Sequence, residues 1–160
     1  MRAAGKRNVH VAWPRLAALP PSIKIGVVVA LVGLLSVQAV AAAGVWVHTR
    51  VVHGSVAEYF FHLSVPRLIG ISHTHLFGYV VLYGLIGGIG TLTDATERVK
   101  TLLLAVPLWS GIFDVASWWG IKLLSPKFEI VSLMTALTSS GASCAVTFLV
   151  VRALRRERAG

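Results

Sequence analysis

Charge is scarce in this sequence. Asp, Glu, Lys and Arg together make up 13% of its 160 residues. A soluble domain carries about 25%, because its surface must face water. The charges present are confined to short segments between long apolar runs, and apolar residues reach 56% with a mean hydropathy of +0.77. That distribution excludes an ordinary soluble domain and indicates a membrane protein. Cysteine is nearly absent too. The single Cys144 permits no intrachain disulfide and reads as a small apolar side chain in the last apolar run. No C-x-x-C-H, P-loop, G-x-S-x-G or H-E-x-x-H pattern occurs, so the enzyme classes those motifs mark lose support.

Acidic residues are scarce even among the charges: six, against fifteen Lys and Arg, for a net charge of +9. Such an excess could suggest nucleic acid. Here the basic residues sit at the ends of apolar runs, where orientation in a bilayer accounts for them, and no nucleic-acid partner is expected. The expected fold is all-α, an integral membrane four-helix bundle with both termini inside. A basic cytoplasmic tail covers 1–24, a four-span domain 25–151 and a second basic tail 152–160. The spans fall at about 25–47, 72–93, 101–121 and 130–151, each long enough for a core that needs about 20 helical residues. In the first tail Trp13 suits the headgroup level, Pro14 breaks any long helix, and His10 is solvated.

The first apolar run has a rival reading as a cleaved signal peptide, because Ala39-Val40-Ala41 and Ala41-Ala42-Ala43 fit a small-residue cleavage site. The basic segment before it is long, however, and the run exceeds the usual ~7–15 residues, so an uncleaved span is expected. Counting Lys and Arg, the side of the termini holds eleven and the other side four, namely Arg50, Arg67, Lys122 and Lys127. The positive-inside rule then puts both termini in the cytoplasm and the 48–71 loop in the periplasm. Within that loop, Val56 to Leu63 reads as a turn or two of helix on the membrane surface. Pro66 and Gly70 read as breaks before Ser72, the expected N-cap of the second span. Trp118 and Trp119 read as interfacial anchors at the end of the third span, and Pro107 as a kink within it. Ser125-Pro126 with Glu129 reads as the start of the fourth.

Polar groups are so few that those near the spans need explaining. His73 and His75 stand at the mouth of the second span, and Asp114 lies a turn below Trp118, about 6 Å along the helix. A carboxylate at the centre of a membrane helix costs about 2.5–3.5 kcal/mol on insertion scales, so a specific role or partner is expected for Asp114. Residues two apart on a helix point about 200° apart, so one of the two histidines turns inward, towards Asp114, and the other faces the loop or headgroups. His73, His75 and Asp114 are candidate metal ligands, with His53 or His62 as helpers, because imidazole and carboxylate suit zinc, copper or iron. A haem b would need a second axial histidine from His48, His53 or His62. A hydrogen bond from Asp114 to the fourth span is the alternative, because that span carries two rows at four-residue spacing: Ser132, Ala136, Ser140, Cys144 and Thr135, Ser139, Ser143, Thr147. Gly84 and Gly88 form a G-x-x-x-G, and with Ser139 and Ser143 they are the candidate helix-packing residues.

Four segments occur together in order: Ala57-Glu58-Tyr59-Phe60, Ser72-His73-Thr74-His75-Leu76-Phe77, Asp114-Val115-Ala116-Ser117-Trp118, and Ser125-Pro126 before a small-residue helix. Over roughly residues 56–150 they resemble a group of small, uncharacterised four-span inner-membrane proteins of proteobacteria with an H-x-H-L-F signature. The resemblance implies a bacterial inner-membrane, multi-pass location and a role for the His and Asp positions, and supplies no activity. His73-Thr74-His75-Leu76 followed by glycine is also similar to histidine-bearing helices of haem-copper-oxidase-like proteins, which hold haem with histidines from several helices. Three functions are therefore weighed. The first is a redox-associated subunit binding a metal or haem. The second is a non-catalytic subunit or assembly factor of a larger membrane complex or homo-oligomer. The third is a small proton-coupled transporter.

Overall fold

The computed structural model describes residues 15–157, all of whose regular structure is helical. The readings of His10, Trp13, Pro14 and Arg158 lie outside the described residues. Helix α1 spans Pro21–Trp46 and runs on as a π-helix, Val47–Val52. A short helix α2 follows at Val56–His62, then α3 at Val65–Thr91, α4 at Glu97–Leu123 and α5 at Glu129–Glu157. Four helical stretches are long and apolar enough to cross a membrane, so the chain is a small multi-pass membrane protein with an all-α bundle. At 1.5 Å per residue the 27-residue α3 and α4 are about 40 Å long, enough to bring both ends past a ~30 Å hydrocarbon core.

Local signals explain most helix ends. Gly54 takes φ of 80°, which a residue without Cβ adopts freely, and Ser55 then accepts from the Glu58 amide at 3.0 Å to cap α2. Ser125 accepts from the Lys127 amide ahead of a 3-10 turn, Pro126–Phe128, that leads into α5, as the Ser-Pro start suggests. The start of α3 differs from expectation. Ser72 is not its N-cap: the helix begins at Val65 after Ser64, and Ser72 is buried two turns inside. Pro66 sits in the first turn, where a missing amide proton costs no helical bond, so it starts the helix and does not break the chain. Pro107 lies inside α4 without ending it.

Helix α4 is the hub, packed between α3 and α5. Two separate apolar clusters hold the ends. At the end carrying the termini, Leu31 of α1 meets Ile86, Val146, Val150 and Ala153, and Leu16 plugs the cluster from a 3-10 turn whose amide bonds the Leu92 carbonyl. At the opposite, loop end, Phe60 and Leu63 come down from the α2 region onto Leu68, Val115, Trp118 and Ile121. Trp118 is therefore a core residue, 5% exposed and stacked on Phe60 at 4.9 Å, not an interfacial anchor. It lies four residues after Asp114 and shares that residue's inward face.

Helix packing also differs from the G-x-x-x-G reading. Among the described residues, a Cβ at Gly84 or Gly88 would meet nothing within 4 Å. The close approach is at Gly87, where a Cβ would stand 2.9 Å from the Leu104 Cα, and at Gly90, 3.3 Å from Val146. Ser139 and Ser143 are buried, on the row that faces inward with Thr135. The other row, Ala136, Ser140 and Cys144, is exposed. Helix α1 touches the bundle mainly through its first half, and Ala39 to His48 is exposed throughout.

Candidate functional site

The buried face of α4 runs through Pro107, Ser110, Gly111, Asp114, Val115, Trp118 and Ile121, the three- and four-residue steps of an inward helix stripe. Asp114 sits at its centre, 9% exposed, between α3 and α5. Counting nine residues back from the end of α4 puts it about 14 Å from the loop end of that helix. His75, eleven residues into α3, lies at a matching depth.

Two helices, α3 and α5, supply three hydroxyls to the Asp114 carboxyl group. Tyr79 of α3 donates to Oδ2 at 2.7 Å. Ser132 of α5 donates to Oδ1 at 2.5 Å. Thr135, also of α5, stands 3.3 Å from Oδ1 and 2.8 Å from the Ser132 carbonyl, so its single proton serves one acceptor or the other. The expected alternative for Asp114, a bond to the Ser/Thr face of the last span, is the observed one. Among the described residues no hydrogen bond or ion pair joins Asp114 to a histidine.

Space for the Tyr79 ring comes from Gly111, where a Cβ would stand 2.9 Å from the Tyr79 Cβ and 2.7 Å from its Cδ2. Tyr83, one turn further along α3, stacks on Tyr79 at 5.6 Å and is buried. Below it, Ser139, Ser143 and Thr147 each bond a carbonyl one turn back, at 2.8, 3.0 and 2.8 Å. Hydroxyls in a membrane helix satisfy themselves this way and remain able to accept. Val146 and Val150, 0% and 1% exposed, lie alongside and just past Thr147, the last hydroxyl of this row.

Of the two histidines, His75 is the one turned inward. Its Nδ1 lies 2.9 Å from the Ile71 carbonyl, which can only accept, so Nδ1 carries the proton and Nε2 remains as the acceptor. Its ring meets Trp118 edge-on at 4.9 Å and Tyr79 at 5.9 Å. His73 is exposed on the opposite side of α3, as two-residue spacing in a regular helix requires. Above this level Trp119 Nε1 donates to the Ser72 hydroxyl at 3.0 Å.

The remaining histidines sit on the loop end. His48 and His53 both pack against Tyr59, at 5.9 and 5.1 Å between ring centres. They are five residues apart, and the π-helical turn between them puts such residues near one face. His62 pairs with Glu58 at 3.0 Å on an exposed surface, a contact worth little in water. Arg50 bonds Glu129 at 2.6 Å and the Ala57 amide reaches the other Glu129 oxygen at 3.4 Å, which ties α2 and the π-helix to the start of α5. So His53, His62, His73, His75 and Asp114 do not come together as one donor set. Among the described residues no three His, Cys, Asp or Glu side chains gather where they could hold a metal ion.

Tyr79 is the site residue that sequence reasoning passed over, while Ser132 was read only as part of a small-residue row and Trp119 only as an interfacial anchor. Tyr79 stands four residues after His75 and shares its face, and that spacing was the available signal. No curated protein and no solved structure matches the chain. A family model described as a transmembrane helical domain does, over residues 49–160, a range that takes in α2 to α5 together with the whole Asp114 site. The chain thus belongs to the Aq_1264_TM family of transmembrane helical domains.

Proposed function

We propose that this chain is a small proton-coupled membrane protein in which Asp114 exchanges a proton with the loop side. One observation carries the reading: a buried carboxyl group with no cationic partner among the described residues, linked through Tyr79 to the half-buried His75. Intramembrane carboxylates of this kind mark ion or proton pathways by default. His75 supplies an acceptor nitrogen at the outer edge of the site, and Tyr79, Ser132 and Thr135 can each pass a proton by rotating a hydroxyl. Val146 and Val150 support a seal on the other side, which leaves the loop side as the proposed route of exchange. Eleven of fifteen basic residues favour a cytoplasmic termini end, which gives His75 a periplasm-facing entry in a bacterial inner membrane.

The test is proton flux into liposomes under an imposed potential, with wild-type protein, Asp114→Asn and His75→Ala. Flux above protein-free vesicles that Asp114→Asn abolishes and His75→Ala slows supports the reading. Flux that survives Asp114→Asn, or none in the wild type, overturns it. A metal- or haem-binding redox role finds less support, because its expected ligands point in different directions.

A second reading is favoured by Gly84 and Gly88, which are open on the side of α3 not used within the chain. Glycines at this spacing let another membrane helix approach closely, as a non-catalytic subunit of a larger complex or homo-oligomer would need. Copurification of a partner that is lost in Gly84→Leu supports it. An unchanged single-chain particle in both forms opposes it.

A further inference from the structure

The end carrying the termini has a pocket that neither the Asp114 site nor the proton reading uses. It encloses about 270 Å³ between the start of α4 and the last turns of α5. Arg152 and Arg156 line one wall, one turn apart and therefore on one face of α5. We propose that this pocket binds the phosphate of an anionic phospholipid headgroup.

The charge balance of the pocket favours an anion. Its own acid, Asp94, is engaged by Arg15 at 3.9 Å, and nearby Glu97 by Lys100 at 3.0 Å. Arg152 and Arg156 have no acidic partner among the described residues. Guanidinium groups in a pair hold phosphate oxygens through several donors at once. The opposite wall adds the start of α4, where Thr96 makes no side-chain cap bond and the positive end of the helix dipole faces the pocket.

The apolar part of the lining selects the source of the phosphate. Val99 and Leu149 lie in the same pocket, one turn into α4 and one turn short of Ala153 on α5, towards the membrane centre. A lipid places its phosphate against the arginines and its glycerol and first methylenes against these two side chains. A free phosphate ion would leave them unused. Position agrees as well, since basic pockets between membrane helices at this level are where anionic headgroups are available.

Native mass spectrometry of the full chain in neutral detergent tests the assignment, with added phosphatidylglycerol, phosphatidylcholine or inorganic phosphate. Wild type is expected to retain one phosphatidylglycerol per chain at least tenfold better than phosphatidylcholine. The pair Arg152→Ala and Arg156→Ala is expected to lose that preference. Arg98→Ala with Arg155→Ala, which removes the same charge outside the pocket, is expected to keep it. Equal loss in both pairs would overturn the site in favour of general surface attraction. Displacement of the lipid by millimolar inorganic phosphate would overturn the lipid as its ligand. Should the double variant not fold, Arg152→Gln alone is expected to weaken retention about threefold, and no change there also refutes the proposal.

Discussion

Tyr79→Phe tests the polar centre with the smallest perturbation the structure offers. The substitution keeps the ring over Gly111, against Tyr83 and beside His75, so buried area and shape hardly change. Only the hydroxyl goes, and with it the one hydrogen bond to Asp114 Oδ2 among the described residues. Leaving a buried acceptor unpaired costs about 1–3 kcal/mol in soluble proteins. Polar contacts between membrane helices average about 0.6 kcal/mol and reach about 1.7. The two ranges overlap near 1.4 kcal/mol, roughly a tenfold change in the unfolding equilibrium constant. Ser132→Ala should cost less, about 0.5–1 kcal/mol, because the Thr135 hydroxyl can turn from the Ser132 carbonyl to Oδ1, 3.3 Å away.

Unfolding by SDS in mixed micelles, followed by helix content, measures both. The decisive comparison repeats Tyr79→Phe in an Asp114→Ala background, where the hydroxyl has lost its acceptor and its removal should cost nothing. The difference between backgrounds is the coupling energy of the pair. An equal cost in both backgrounds would refute the hydrogen-bond account, and so would a Tyr79→Phe variant no weaker than Ser132→Ala.

Three further outcomes follow from the packing. Gly87→Ala should cost about 1–3 kcal/mol, because the new Cβ meets backbone at Leu104 that cannot turn aside, whereas Gly84→Ala should leave unfolding within about 0.5 kcal/mol of wild type; the reverse order would mean that the two helices meet on a different face. Gly111→Ala should destabilise by a similar amount by displacing Tyr79, and should also reduce the proton flux that Asp114→Asn abolishes, although it alters no ionisable group. Glu129→Gln should speed hydrogen exchange in residues 47–62 while leaving α3 and α4 unchanged, since Glu129 holds both Arg50 and the Ala57 amide; uniform exchange across the chain would contradict that local role.

Composition made the bundle legible, because runs of more than twenty uncharged residues have few other uses. The two small-residue rows of the last span were legible as well, since a four-residue period fixes a face even where all faces are apolar, and a bond from that span to Asp114 stood as the alternative to a histidine partner. Which apolar face points inward was not. Lipid-facing and core-facing side chains are equally hydrophobic here, so Gly84/Gly88 and Gly87/Gly90 look alike in sequence and only the neighbouring helix distinguishes them. Pro66 and Gly70 misled for another reason. Both break helices in general, but a proline in the first turn is a start signal, and Ser64-Val65-Pro66 resembles the Ser125-Pro126 start that was read correctly. The start of α2 is of the same kind, with Ser55 as N-cap accepting from the Glu58 amide.

The placement of the two apolar clusters explains why the polar centre matters to the fold as well as to function. Inside a bilayer, packing one leucine against another gains little, because lipid tails are equally apolar. The clusters accordingly lie at the two ends, and each recruits side chains from outside the long helices: Leu16 at one, Phe60 and Leu63 at the other. Between them α3, α4 and α5 are held by what does discriminate protein from lipid, the hydroxyl contacts to Asp114 and the close approaches at Gly87 and Gly90. Helix α1 has neither device. Among the described residues its glycines meet nothing within 4 Å, and Gln38 reaches Ser140 only through a long 3.4 Å bond. Leu31 and its neighbours attach the helix at one end and the Arg50–Glu129 pair beyond the other, and the exposed stretch between Ala39 and His48 is left to lipid or to another helix.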